Sequence, residues 1–201
     1  MKKGDHLYQQ YLNILREELR PAMGCTEPIA LAYAAAKATQ VLGGEADRIE
    51  LFVSGNIIKN VKSVIVPATG GLHGIEAAAA VGIIAGDPEK ELLVISQVSK
   101  EQQEKVAQYL KKAKFNLRES KSGSVFDISI TLSAAGHQAA CRIAEDHTNI
   151  VLIQRDGETV YSRNIKKSSA RRQLKNCTTK NPDFLKIRMT KISFPFTHKY
   201  G

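Results

Sequence analysis

Two stretches of this 201-residue chain combine residue types at spacings that chemistry uses. The first is MGCTEP, Met23 to Pro28, where a thiol, a hydroxyl and a carboxylate follow one another as Cys25, Thr26 and Glu27. An Ala-rich run begins directly after it. Cys25 therefore falls within about two residues of a helix N-terminus, where unpaired N–H groups and the helix dipole favour a thiolate able to act as base or nucleophile. The competing reading is a small buried residue beside a helix start. Glu27 is correspondingly either an acid that complements the dipole or a carboxylate of the site.

The second stretch runs from Ser54 to Gly74, SGNIIKNVKSVIVPATGGLHG. Thr69, Gly70, Gly71 and Gly74 stand just before another Ala-rich run. Glycines there leave backbone donors unhindered, which is a geometry for holding an anion such as an amino-acid carboxylate. A plain tight turn with a helix cap is the alternative. The pattern is neither a P-loop, since no Gly-Lys-Ser/Thr follows, nor G-x-G-x-x-G. Asn56, Lys59 and Asn60 in the preceding loop can close around a substrate or simply meet solvent. His73 offers an imidazole that can carry protons, although loop histidines are commonly bystanders. His137, His147 and Cys141 make no defensible metal site, and His6 and His198 carry no signal.

The elements that must position these residues follow from periodicity. Leu7, Tyr11, Leu12, Leu15 and Leu19 recur at helical spacing within Asp5–Leu19, and Pro21 ends that helix. Thr26, Glu27 and Pro28 supply a capping side chain, an acid and a proline for a second helix, which extends to Leu42 and closes at Gly43-Gly44. Arg48–Ser54 alternates and reads as a strand, followed by a loop, SGNIIKN. SVIVP is a short β-rich run. After the glycines, IEAAAAVGIIAG reads as a helix stopped by Gly86-Asp87-Pro88. Leu92–Gln97 is a candidate strand, and Ser99 caps a helix continuing to Phe115. From Val125 the period changes to two, in short runs divided by Gly, Asp or Asn, which predicts an antiparallel meander. The body is thus α+β: N-terminal helices and a glycine-loop helix packed with a mostly antiparallel sheet.

Composition narrows the function classes. The net charge of +9 suggests nucleic-acid binding until it is located: residues 163–201 hold 11 Lys/Arg against Asp183, leaving 18 Lys/Arg against 19 Asp/Glu in residues 1–162. A body without a basic face or an aromatic platform offers no nucleic-acid surface. That segment has no sustained pattern and is expected to be disordered or to be a frameshift product. The apolar runs Ile29–Val41 and Ile75–Ala85 are too short for a membrane span, and Lys37 and Glu76 interrupt them. The N-terminus carries two lysines without an apolar run or cleavage site, so a cytoplasmic location is expected. Three widely spaced cysteines, Cys25, Cys141 and Cys177, argue for reduced thiols rather than a disulfide framework or metal knuckle.

Taken together, RPAMGCTEPIALAYAAAKA, SGNIIKNVKSVIVPATGGLHGIEAAAAVGIIAGDP and the segment ending AEDHTNIVLI resemble the L-cysteine desulfidase family, which is related to the α-subunits of iron–sulfur L-serine dehydratases. The resemblance covers residues 7–162 and stops before residues 163–201. It implies an oxygen-sensitive [4Fe–4S] lyase that converts L-cysteine to pyruvate, ammonia and sulfide by β-elimination without pyridoxal phosphate. It also implies that Cys25, which matches the motif cysteine, is the base; the residue types themselves, not the resemblance, make Glu27, Asn56, Lys59, Asn60, Thr69, Gly70, Gly71, His73 and Gly74 the candidates around the substrate. The family's cluster cysteines lie in its C-terminal half, which this chain lacks, and Cys177 alone cannot replace them. The expectation is an N-terminal fragment that binds no cluster by itself and is either inactive or completed by a separately encoded C-terminal half. An L-serine dehydratase-like lyase and a non-catalytic amino-acid-binding module are the alternatives. Lys59 as a Schiff-base lysine lacks a cofactor-phosphate context.

Overall fold

The computed structural model describes residues 6–18 and 21–164. Helix α1 (His6–Glu18) is followed by α2 (Thr26–Leu42), strand β1 (Arg48–Val53), α3 (Gly55–Val61), α4 (Ile75–Ala85) and α5 (Lys100–Lys112). Five further strands follow among the described residues: β2 (Lys114–Glu119), β3 (Asp127–Ala134), β4 (His137–Ala144), β5 (Ile150–Arg155) and β6 (Glu158–Ser162). They form one six-stranded sheet in the order β2-β1-β3-β4-β5-β6. Only β1 and β2 pair in parallel, and every other neighbour is antiparallel. The fold is α+β, as the change of period along the chain predicts.

Strand alternation places the apolar rows on one face. Ile49, Leu51 and Val53 lie opposite Leu132, Ile130 and Ile128, which in turn face Ala139, Cys141 and Ile143. All nine are buried, and each fully buried aliphatic side chain is worth about 1.5–3 kcal/mol against exposure. Helix α2 lies on this face, touching β3, β4 and β5, and also contacts α4. Every residue from Pro28 to Ala36 is buried, as expected of a helix covered on all sides.

The approach of α2 to α4 depends on small residues. A Cβ on Gly82 would lie 2.8 Å from Ala32 Cα and closer still to the Ala32 carbonyl oxygen, so no side chain fits between the two backbones. This crossing fixes α2 along its length. Its N-terminal turn is thereby held at the end of the sheet where β1 gives way to α3.

Several local expectations are corrected. SGNIIKN is not a loop but the helix α3, because Ile57 and Val61, one turn apart, both turn into the core. SVIVP forms no strand; Ile65 makes a single antiparallel bridge to His73 before Pro67 interrupts. Leu92–Gln97 is not a strand either. Pro88–Leu93 is a 3-10 segment broken at Glu91 (φ 46°, ψ −117°), and turns follow it. A short apolar run cannot by itself distinguish these outcomes. Ser99 caps α5 with the reciprocal Gln102 bonds of a capping box, but the helix stops at Lys112. The alternation of Phe115 and Leu117 then builds β2 against Ile49 and Leu51 of β1. No helix among the described residues is long and apolar enough to cross a membrane. The expectations for residues 165–201, including Cys177 and His198, lie outside the described residues.

Candidate functional site

The first turn of α2 carries the site. Gly24 adopts φ +92° and turns the chain tightly, and a Cβ there would sit 3.5 Å from Pro67 Cγ, so the MGCTEP and VPATGG segments touch. Cys25 is the N-cap residue in extended conformation (φ −63°, ψ 124°), and no side chain caps the helix. Thr26 is therefore not the cap that its type suggests. Its hydroxyl lies 3.0 Å from His147 Nε2 and 3.4 Å from Glu27 Oε2.

Glu27 is the hub. Cys25 Sγ donates to its Oε2 at 3.1 Å, and Asn60 Nδ2 donates to its Oε1 at 3.3 Å. Four residues from three parts of the chain thus converge on one carboxylate: Cys25 and Thr26 from α2, Asn60 from α3, and, through Thr26, His147 from the β4–β5 turn. The imidazole of His147 also rests on the Phe126 ring, with centroids 4.5 Å apart and planes inclined by 55°.

The electrostatics follow from these contacts. Burial pushes the Cys25 thiol above its ordinary range, and its hydrogen bond to the Glu27 carboxylate pushes it further. Burial, the largest single influence on Glu27, would raise its carboxyl. The donors Cys25, its own backbone N–H and Asn60, together with the charge of His147, outweigh that and hold it low. The two directions agree: the proton stays on sulfur and the charge stays on oxygen. The helix start favours a thiolate, but its own first-turn acid Glu27 opposes that by accepting the thiol proton in a hydrogen bond.

The remaining predicted residues lie outside this hydrogen-bonded cluster. Asn56 and Lys59 are exposed on α3; Asn56 stands one turn from Asn60 on the same helix side, and Lys59 is its immediate chain neighbour. Thr69 is buried, and its hydroxyl is taken up by the Val66 and Leu72 carbonyls at 2.7 and 3.2 Å. Gly70 and Gly71 are exposed with φ of 72° and 102°, which a glycine adopts freely. His73 is exposed. Gly74 (φ 94°) is the N-cap of α4, and its N–H donates to the Val64 carbonyl at 3.2 Å, so that donor serves the turn. Glu76 occupies the first turn of α4.

Two other polar groupings are structural. Asp127, 1% exposed, accepts from Arg142 Nε and Nη2 at 2.8 and 3.2 Å and from Ser120 at 2.7 Å. Cys141 is enclosed among core aliphatics, and burial pushes its thiol up to about 12. His137 pairs with Asp156 at the exposed far end of β4. Among the described residues no group of three or more His, Cys, Asp or Glu could hold a metal ion. A surface depression of about 300 Å³ is lined by Pro21, Lys90, Glu91, Leu92 and Leu93, none of them part of the cluster. His147 and Thr26 are the site residues that sequence reasoning missed. Their contact spans 121 positions and has no local signature.

No protein-family model matches the chain. Individual relatives do. A UPF0597 protein of Desulfitobacterium hafniense is 50% identical over 161 residues, 80% of this chain and 37% of that protein. One from Treponema denticola is 41% identical over 174 residues, 87% of this chain and 40% of that protein. One from Actinobacillus pleuropneumoniae is 37% identical over 198 residues, 96% of this chain and 46% of that protein, so this match extends past Ser162. The chain's homologues are thus UPF0597 proteins, and it spans about two fifths of the length of these curated relatives.

Proposed function

We propose that this chain is the N-terminal portion of a lyase of the L-cysteine desulfidase kind, with Cys25 handling the substrate's α-proton. The observation that supports this reading is the Cys25–Glu27–Asn60 cluster: an exposed thiol whose proton points at a carboxylate 3.1 Å away, with an amide steadying the other carboxylate oxygen. Such a pair can store and return one proton. At rest Cys25 is protonated, and it becomes a base when its proton passes to Glu27 Oε2. The ammonium group of an amino-acid substrate beside Sγ lowers the cost of that transfer by favouring the thiolate.

The reaction balances without an oxidant. Loss of the α-proton to the Cys25 thiolate and of hydrosulfide from Cβ leaves 2-aminoacrylate; the proton held on Glu27 goes to the departing hydrosulfide, which restores the pair, and 2-aminoacrylate takes up water to give pyruvate and ammonia. A [4Fe–4S] cluster, when bound in complete enzymes of this kind, assists departure of the leaving group. The described residues do not fit as its holders. They contain two thiols, of which Cys141 is sealed in the core and Cys25 is engaged with Glu27, whereas a cluster takes three or four cysteines. Its ligands would have to come from elsewhere in the complete protein.

The test is anaerobic reconstitution with iron and sulfide, followed by assay of sulfide and pyruvate release from L-cysteine. The chain alone is expected to release neither, and addition of the remaining portion of a UPF0597 relative is expected to restore both. Cys25→Ala should then lower the restored rate by about a hundredfold or more. L-cysteine binding by the complemented protein without pyruvate formation would overturn the reading in favour of an amino-acid-binding module.

A further inference from the structure

We infer that His147 is a positioning residue for the Cys25–Glu27 pair, acting through the Thr26 hydroxyl. The inference rests on the proton-handling role given to that pair above, and it adds a group that neither a motif nor spacing identifies.

The geometry is that of a shared proton. Thr26 Oγ1 has one hydrogen and two neighbours able to accept it, His147 Nε2 at 3.0 Å and Glu27 Oε2 at 3.4 Å. When Nε2 carries a proton, as it must in the imidazolium, it donates to Thr26 Oγ1, and the hydroxyl hydrogen is left for Glu27. The carboxylate then has three side-chain donors: Cys25, Thr26 and Asn60. When Nε2 is bare, the shorter contact wins and the hydroxyl donates to the imidazole. Glu27 is then left with Cys25 and Asn60, and draws more strongly on the thiol proton. Gain of a proton at His147 Nε2 therefore loosens the hold on Cys25, and loss of that proton tightens it.

The imidazole is placed for this by a fixed turn. Asn149 Nδ2 donates to the Ala144 carbonyl at 2.8 Å, and the Thr148 N–H donates to Asp146 Oδ1 at 3.2 Å. The Phe126 ring supports the imidazole face. Titratable and charged groups on the surrounding elements are Cys25 at the cap of α2 and Glu27 in its first turn, Lys59 on α3, Glu145 and Asp146 in the turn itself, and the Asp127–Arg142 pair next to Phe126 on the sheet. The Asp127–Arg142 pair is internally neutralised, and Glu145 is occupied by Ser124.

The experiment measures the rate of Cys25 alkylation by iodoacetamide against pH in the 201-residue chain, resolved by peptide mass so that Cys141 and Cys177 do not contribute. It requires no lyase activity, so it can fail while the lyase reading stands, and the reverse. The wild-type profile is expected to show the rise of the thiolate and, superimposed, a step of about two- to threefold at whatever pH the His147 ring protons are seen to titrate by NMR in the same sample. His147→Gln keeps a polar side chain but cannot titrate there, and Thr26→Val removes the bridging hydroxyl. Both should abolish the step while the thermal midpoint stays close to wild type. A wild-type profile without the step overturns the inference, as does a step that survives His147→Gln. A step lost in His147→Gln but retained in Thr26→Val also overturns it, because the coupling would then be through space.

Discussion

Helix α2 has two ends that are built on different principles. Along Ala30–Ala36 it is held by shape: small residues, a glycine on the partner helix, and contact distances that leave no room for a methyl group. At Cys25–Glu27 it is held by polar partners from α3 and from the β4–β5 turn, and its thiol meets solvent. The rigid half fixes the position of the polar half, so the hydrogen bonds there need only set protonation. Substitutions in the packed half should change stability without changing Cys25 chemistry, and those in the polar half should do the opposite.

The largest effect belongs to Gly82→Ala. In an exposed helix this change stabilises by about 1 kcal/mol, but here the added methyl meets the Ala32 backbone, which cannot give way. A net loss of about 3 kcal/mol is expected in chemical denaturation, with Cys25 alkylation unchanged in the folded protein. A neutral or stabilising outcome would show that the crossing is looser than its geometry.

Next comes Arg142→Ala, which strands the Asp127 carboxylate among buried atoms with Ser120 as a remaining donor. Because Arg142 is itself partly exposed, the loss should be about 2 kcal/mol, below the range for fully buried pairs. The pH dependence is specific. Burial would raise the Asp127 carboxyl, but the Arg142 and serine donors outweigh it and hold it below its ordinary value. A lowered carboxyl contributes stability that is present above its unfolded range near pH 4 and is lost as the pH falls through the folded value. Arg142→Ala should therefore weaken the acid dependence of urea unfolding below pH 4, and an unaltered dependence would exclude the pair as its source.

The two halves of α2 also differ in how far the sequence disclosed them. The packed half was legible because an Ala-rich run between a proline and two glycines leaves few alternatives, and the meander of β3 to β6 was legible from period two. Helix α3 was hidden by its Gly and Asn content, although Ile57 and Val61 already stood one turn apart. Strand β2 was hidden because the basic helix α5 runs into it with a break of one residue, Ala113. In the polar half, residue type singles out Cys25 and Glu27 beside a helix start and Asn60 in what reads as a loop, but nothing in the sequence links Thr26 to His147. Their contact exists only once the sheet has brought the β4–β5 turn to α2, and local patterning contains no trace of it. Thr69 and Gly74 illustrate the reverse case: their chemistry was visible, but the fold uses Thr69's hydroxyl and Gly74's N–H to close its own turn.

The smallest effect is also the most direct test of the polar half, namely alkylation of Cys25 at pH 7.5 in the wild type and in Glu27→Gln, with buried Cys141 as an unreactive internal reference. Glutamine keeps the shape and removes the charge that holds the thiol proton. The rate is expected to rise about two- to threefold, a modest figure because solvent screens an exposed thiol, with stability changed by less than about 0.5 kcal/mol. An unchanged or slower rate would mean that Glu27 does not govern the Cys25 proton, and the account of this helix start as a proton-handling site would fail.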